Sequence, residues 1–170
     1  MLDPKLISML SDQENFEWYS AYIYFDIANY YADKNLNGFS NWFTIQAQEE
    51  RDHALLFNKY LLNNGAVAVL DDIKKPDFQY GDFRAPAANA FEHEQIVTAR
   101  INAIYAVAYE QKDFRTMQFL DWFVKEQGEE EKNTEDILKR YDLFASDPKG
   151  LYMLDSELSA RVYVAPSLII

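Results

Sequence analysis

The chain has 170 residues, with 28 acidic against 16 basic side chains, a formal net charge of −12, and 49% hydrophobic and 16% aromatic residues. That is enough for one domain with a sizeable core, and its acidic field repels nucleic acid and anionic membranes while attracting cations. The absence of cysteine excludes disulfides, zinc thiolate sites and iron–sulfur clusters.

Gly and Pro number only 5 each, so turns are few and elements long, which favours an all-helical fold. Met1-Leu2-Asp3-Pro4 lacks the basic start and apolar run of a signal peptide, and no apolar stretch is long enough to span a bilayer. A soluble, cytoplasmic protein is expected, with no nucleic-acid or membrane partner. Asp3-Pro4 reads as a helix start, with Asp as cap and Pro at the first helical position. The first helix is predicted to run from there to about Lys34. Asn35 to Gly38 form a turn, and a second helix fits Phe39 to about Asn63, stopped at Gly65. Each is on the order of 40 Å long.

Ala66 to Arg84 contain Pro76, Gly81 and several acids, without a sustained helical period. A link of that length belongs to bundles whose neighbours are not all antiparallel. Ala85-Pro86 opens a third helix to about Lys112, a break follows at Asp113 to Thr116, and a fourth helix reaches about Ser146. Asp147-Pro148 repeats the cap-plus-proline start, so a short fifth helix is expected to about Val162. The expectation is one all-α domain over residues 1–170. It has a four-helix bundle at about 4–146, a fifth helix at about 148–162 and an apolar tail at 163–170. There is no Gly-rich phosphate loop, so nucleotide chemistry has little support.

Each long helix carries an acid or amide where its periodicity calls for an apolar residue. Glu17 shares a side with Gln13, Phe16, Ala21, Tyr24 and Ala28, and Glu50 shares one with Phe43, Ala47, Ala54, Phe57 and Leu61. His53, three residues on, points the same way. Glu94 lies among Ala87, Ala90, Phe91, Val97 and Ile101, and Gln127 among Leu120, Phe123, Val124 and Ile137, with Glu130 following on that face. Any one of these acids could sit at a stripe edge and reach solvent. Four helices doing this together is harder to explain that way, because a buried carboxylate costs several kcal/mol and like charges repel. A shared cation, or protonation, resolves the conflict. Oxygen ligands plus one imidazole suit iron, manganese or zinc. Glu-x-x-His from one helix with glutamates from the others is the pattern of diiron and dimanganese bundles. Glu50, beside the only ligand histidine, is the expected bridge.

The chain resembles the bacterial non-haem ferritins along essentially its whole length, through the end of the fifth helix. The resemblance is carried by Glu17 with Tyr24, Gln48-Glu49-Glu50-x-x-His53, His93-Glu94-Gln95, Phe119-Leu120-x-Trp122, Glu126-Gln127-x-Glu129-Glu130-Glu131 and Gly150-Leu151-Tyr152. It implies a ferritin-like bundle with a long crossover between helices two and three, assembled into a hollow shell of twenty-four subunits. The shell would oxidise ferrous iron with oxygen or peroxide and store ferric oxyhydroxide. By resemblance Glu17, Glu50 and His53 bind the first iron. Glu50, Glu94 and Gln127 bind the second, with Glu130 close by. Glu49, Glu126, Glu129 and Glu130 form a third site, and Tyr24 is the family tyrosine beside the diiron centre. The chain departs from the bacterioferritin pattern where Gln127-x-x-Glu130 lacks the second histidine, and Asp52 stands at the haem-ligand methionine, so no haem is expected. Gly128 stands where the family often has a histidine, and the tail beyond Val162, unusually apolar for the family, is not explained by the resemblance.

Other residues carry their own expectations. His93 is expected at the surface or an interface, Trp122 in ordinary core packing, and Tyr24 on the ligand face. The tail is expected to enter a symmetry channel of the shell or to dock on another protein. A diiron oxidase or peroxide scavenger without storage, and a plain helical scaffold, are the competing functions.

Overall fold

The computed structural model describes residues 2–170. Its helices are α1 (Pro4–Asp33), α2 (Asn37–Asn63), α3 (Ala85–Glu110), α4 (Phe114–Phe144) and α5 (Pro148–Leu158), and no strand occurs among the described residues. Three aspartates start helices as N-caps. Asp3 accepts from the Lys5 N–H, Asp113 from that of Thr116, and Asp147 from those of Lys149 and Gly150. The starts follow the local sequence closely, except that α2 begins at Asn37, inside the turn expected at Asn35 to Gly38. The end of α5 does not, because it stops at Leu158 rather than Val162. Ser159 still bonds Asp155 four residues back, but the two amides after it tighten onto carbonyls three residues back, Ala160 onto Glu157 and Arg161 onto Leu158. The Arg161 side chain then turns onto α2, where it bonds the Trp42 carbonyl.

The connection between α2 and α3 runs back along α1. Val69 meets Ser11 and Asn15, while Tyr80 reaches Asp26 and the Phe83 carbonyl accepts from Tyr31. It carries the chain from the start of α1 to its end, so α3 begins there and runs antiparallel to α1. Contacts of His93 with Ser20 and of Arg100 with Gln13 follow that direction. The helices pack chiefly as α1 on α2 and α3 on α4, with α5 against α2 and α4.

Two apolar clusters fill the interior. One holds Ile23, Ile27, Tyr31, Phe39, Phe43, Ala87, Ala90 and Ile137. The other holds Leu6, Leu10, Phe57, Leu61, Val97, Ile101, Leu120 and Phe123. Every long helix passes from one cluster to the other, and between them each contributes a buried polar turn. That middle layer contains Glu17, Glu50, His53, Glu94, Gln127 and Glu130. Val124 does not belong to the inward stripe of α4, being 43% exposed. The buried line runs Phe119, Phe123, Gln127, Glu130, Thr134 and Ile137, and Val124 falls one step round from it.

Two glycines differ in kind. Gly38 sits where a Cβ would collide with the Asp155 carbonyl oxygen, and its N–H bonds the Asp155 carboxylate at 2.8 Å. It is the point at which α5 docks on α2. Gly128 is exposed mid-helix, with open space where a Cβ would stand, and nothing in the structure explains it. Gly38→Ala is expected to destabilise by about 1–3 kcal/mol through overpacking. Gly128→Ala is expected to stabilise by about 1 kcal/mol. Chemical denaturation of both variants checks the opposite signs.

Candidate metal centre

Among the polar side chains of the middle layer, Gln13, Glu17, Gln46, Glu50, His53, Glu94, Gln127 and Glu130, none is more than 3% exposed. Helical spacing explains why they meet. Gln13 lies one turn before Glu17, Gln46 one turn before Glu50, His53 three residues after it, and Gln127 three residues before Glu130. Each pair therefore presents both members to the bundle axis.

The carboxylates are held by neutral donors. Gln13 Nε2 donates to Glu17 at 2.8 Å. Gln46 Nε2 donates to Glu50 at 2.9 Å and to Glu130 at 2.8 Å, tying two helices together. Gln127 Nε2 donates to Glu94 at 3.0 Å, and the Tyr24 hydroxyl donates to the other Glu94 oxygen. His53 Nδ1 stands 3.4 Å from Glu50 Oε2. One Glu17 oxygen is buried without a hydrogen-bond partner, an unmet demand of the kind a bound cation satisfies.

Four carboxylates at this density cannot all ionise freely. Burial pushes Glu17, Glu50, Glu94 and Glu130 each up to about 8. Next in size is repulsion from Glu50 on Glu17 and Glu94, from Glu130 on Glu50, and from Glu94 on Glu130. Burial and the Glu94 charge likewise raise the Tyr24 phenol well above its usual range. Tyr24 is a hydrogen-bond donor here, not a phenolate.

Two ligand groups can be drawn on these atoms. Glu17, Glu50 and His53 offer one atom each within 4.8 Å of one another, and so do His53, Glu126 and Glu130. Carboxylate oxygens with one imidazole fit a hard or borderline ion such as iron. Glu49, Glu126 and Glu129 lie beside this layer. With His53 and Glu130 they line a cavity of about 280 Å³. The Glu49 side chain is 17% exposed, whereas Glu129 is 60% exposed and 3.4 Å from Lys125.

Some positions differ from expectation. His93 is buried at 6% exposure, with Nε2 2.7 Å from the Ser20 hydroxyl and its ring stacked on Phe16. It packs between α3 and α1 because their antiparallel pairing brings Ser20 opposite it, which the α3 periodicity alone does not reveal. Burial, then Arg100, lowers its pKa to about 4, so it is neutral. Trp122 packs against the second apolar cluster, as expected, and edge-on to His53 with ring centres 5.6 Å apart, while its N–H bonds the Ser167 hydroxyl at 3.0 Å. The tail folds onto its own chain. Tyr163 bonds Asp52, and Leu168 and Ile170 pack against the second apolar cluster. Sequence reasoning missed Gln46 and Arg161. Gln46 had a signal, since Gln13–Glu17 and Gln46–Glu50 repeat one spacing. Arg161 had none, because its contacts lie more than a hundred residues away in the chain.

Residues 7–144 match the family model described as the ferritin-like domain. A Haemophilus influenzae protein, "probable bacterial non-heme ferritin-like protein", is 32% identical over 93% of this chain and 96% of its own. The "bacterial non-heme ferritin" of Staphylococcus aureus is 32% identical over 96% of this chain and 98% of its own. The structure of an open-pore ferritin from Archaeoglobus fulgidus superposes with a TM-score of 0.93 at 37% identity, covering 95% of this chain and all of that one. A humanised archaeal ferritin gives 0.93 at 40% identity, over 96% of this chain. No helix of the described residues is long and apolar enough to cross a membrane.

The buried acids set a pH dependence for the iron-free protein. Their native pKa of about 8 lies above the ordinary 4.5. The folded chain therefore holds protons that the unfolded chain has released. This stability is fully present below pH 4.5 and is lost as pH rises toward about 8. The melting temperature of iron-free protein is expected to fall across that window, and Glu94→Gln to flatten the fall. Thermal melts in metal-free buffers measure both.

Proposed function

Because the chain belongs to the ferritin family, we propose that it is an iron-storage ferritin with ferroxidase activity, acting in the cytoplasm as a shell of twenty-four copies. The observation that carries this proposal is the convergence of Glu17, Glu50, His53, Glu94, Gln127 and Glu130 from all four long helices into one buried layer. Structural acids would not be gathered where they repel one another and go largely without cationic partners.

Ferrous iron is the substrate. Glu17, Glu50 and His53 hold one ion, and Glu50 bridges to a second held by Glu94 and Gln127, with Glu130 alongside. Binding displaces the protons that burial keeps on these acids. Two ferrous ions supply two electrons, enough to reduce oxygen to hydrogen peroxide, or peroxide to water, with two protons taken up. The ferric products carry more charge and favour oxygen ligands, so hydrolysis to oxyhydroxide follows. The acidic cavity of Glu49, Glu126, Glu129 and Glu130 forms a third site through which iron passes inward. Tyr24 orients Glu94 through its hydroxyl. The protein supplies spacing and charge compensation, and the redox chemistry belongs to iron.

Gln127 sets the character of the second position. Its amide now donates to Glu94, and on metal binding it turns its oxygen inward as a neutral, weaker ligand. Gln127→Glu is expected to hold the second iron more tightly and to slow its passage to the mineral. The test is to size the particle, add ferrous iron in air, and count iron retained per chain. A large shell retaining many irons per chain is expected. Glu50→Ala should oxidise iron no faster than buffer. A small oligomer that oxidises iron but retains none would instead favour a diiron oxidase.

A further inference from the structure

Arg161 lies just past α5 and lays its guanidinium against α2. It stacks over the Trp42 ring at 4.0 Å and donates to the Trp42 carbonyl at 3.1 Å, to Gln46 Oε1 at 2.9 Å and to Glu49 Oε2 at 2.5 Å. Its side chain is only 18% exposed. The tail beyond it is anchored by Tyr163 on Asp52, by Ser167 on Trp122, and by Leu168 and Ile170 on the apolar core. Residues 164–167 thereby wall the acidic cavity that Glu126, Glu129 and Glu130 also line.

Glu49 therefore has a resident cation. A charge-assisted arginine–carboxylate contact takes up lone pairs that a metal ion needs. The same guanidinium orients Gln46. By taking the amide oxygen, it leaves the N–H groups for Glu50 and Glu130. One side chain thus joins the tail, the acidic cavity and the inner carboxylates.

We propose that Arg161 is a displaceable counter-cation that couples the C-terminal tail to metal occupancy at Glu49. This rests on the cavity being a third ion site, as proposed above. A divalent ion held by Glu49 with Glu126 displaces the guanidinium, and the tail loses its charged anchor. Linkage is reciprocal, so whatever factor the ion imposes on tail docking, the tail imposes on the ion.

The experiment titrates metal-free protein with zinc, which is redox-inert, by calorimetry at one pH. It compares wild type, Arg161→Gln, Arg161→Lys and a chain ending at Val162. Wild type is expected to show two tight events and one weaker event per subunit. Arg161→Gln should tighten the weaker event by about tenfold, with a smaller change in the tight ones, which Arg161 reaches only through Gln46. Arg161→Lys should stay near wild type, and the truncated chain should fall between. Amide exchange over residues 161–170 should accelerate as the weaker event saturates. A purely structural tail predicts weakening instead, so an unchanged or weaker third event overturns the proposal. If Arg161→Gln does not fold, the truncated chain decides the sign, since it keeps Arg161 but loses the anchors beyond it. If wild type lacks the two tight events, the diiron centre itself fails and this inference falls with it. If they are present and the third ignores Arg161, only the coupling fails.

Discussion

Burial of carboxyl groups in a low-dielectric layer is the constraint that governs everything else in this bundle. Glu17, Glu50, Glu94 and Glu130 are at most 3% exposed. None of them has an arginine or lysine as a hydrogen-bonding partner; their partners are glutamine amides and a tyrosine hydroxyl. Such groups either keep their protons or share a cation. With pKa values raised to about 8 these acids keep their protons near neutral pH, and any cation bound among them has to displace those protons.

The packing accommodates this cost by confining it. Apolar clusters on both sides of the layer supply the burial that holds the helices together. The polar turns occupy only the middle of each helix. Because neighbours run antiparallel within each pair, each helix crosses from cluster to cluster in the opposite sense to its partner and meets the others at the same height. The long crossover matters for this reason. It returns the chain along α1 and sets α3 antiparallel to α1, placing Glu94 opposite Tyr24 and His93 opposite Ser20.

The two ends of the molecule are handled differently. At the α5 elbow, Gly38 and Gly150 allow backbone contacts too close for any side chain, so the position of α5 is set by steric exclusion. Beyond α5 the tail is held by the side chains of Arg161, Tyr163 and Ser167, by Asn41 on the Arg161 carbonyl, and by the packing of Leu168 and Ile170. Charge and hydrogen-bond contacts of that kind can be exchanged without dismantling the core. This makes the tail the adaptable part of the structure, and it lies against the acidic cavity.

The helices, the Asp3 and Asp147 caps and the inward positions of the candidate ligand residues were legible in the order of amino acids alone. These properties follow from a period of 3.6 and from short-range capping, both local. Glu17, Glu50, His53, Glu94 and Gln127 could therefore be picked out, and the family pattern added Glu49, Glu126, Glu129 and Tyr24. Packing settled the rest: which atoms share a hydrogen bond, that His93 is enclosed against α1, that α5 ends at Leu158, and that the tail folds back onto its own bundle. Those outcomes depend on contacts between residues far apart in the chain, such as Arg161 with Glu49. Their energies arise only after the helices have packed, and no local periodicity encodes them.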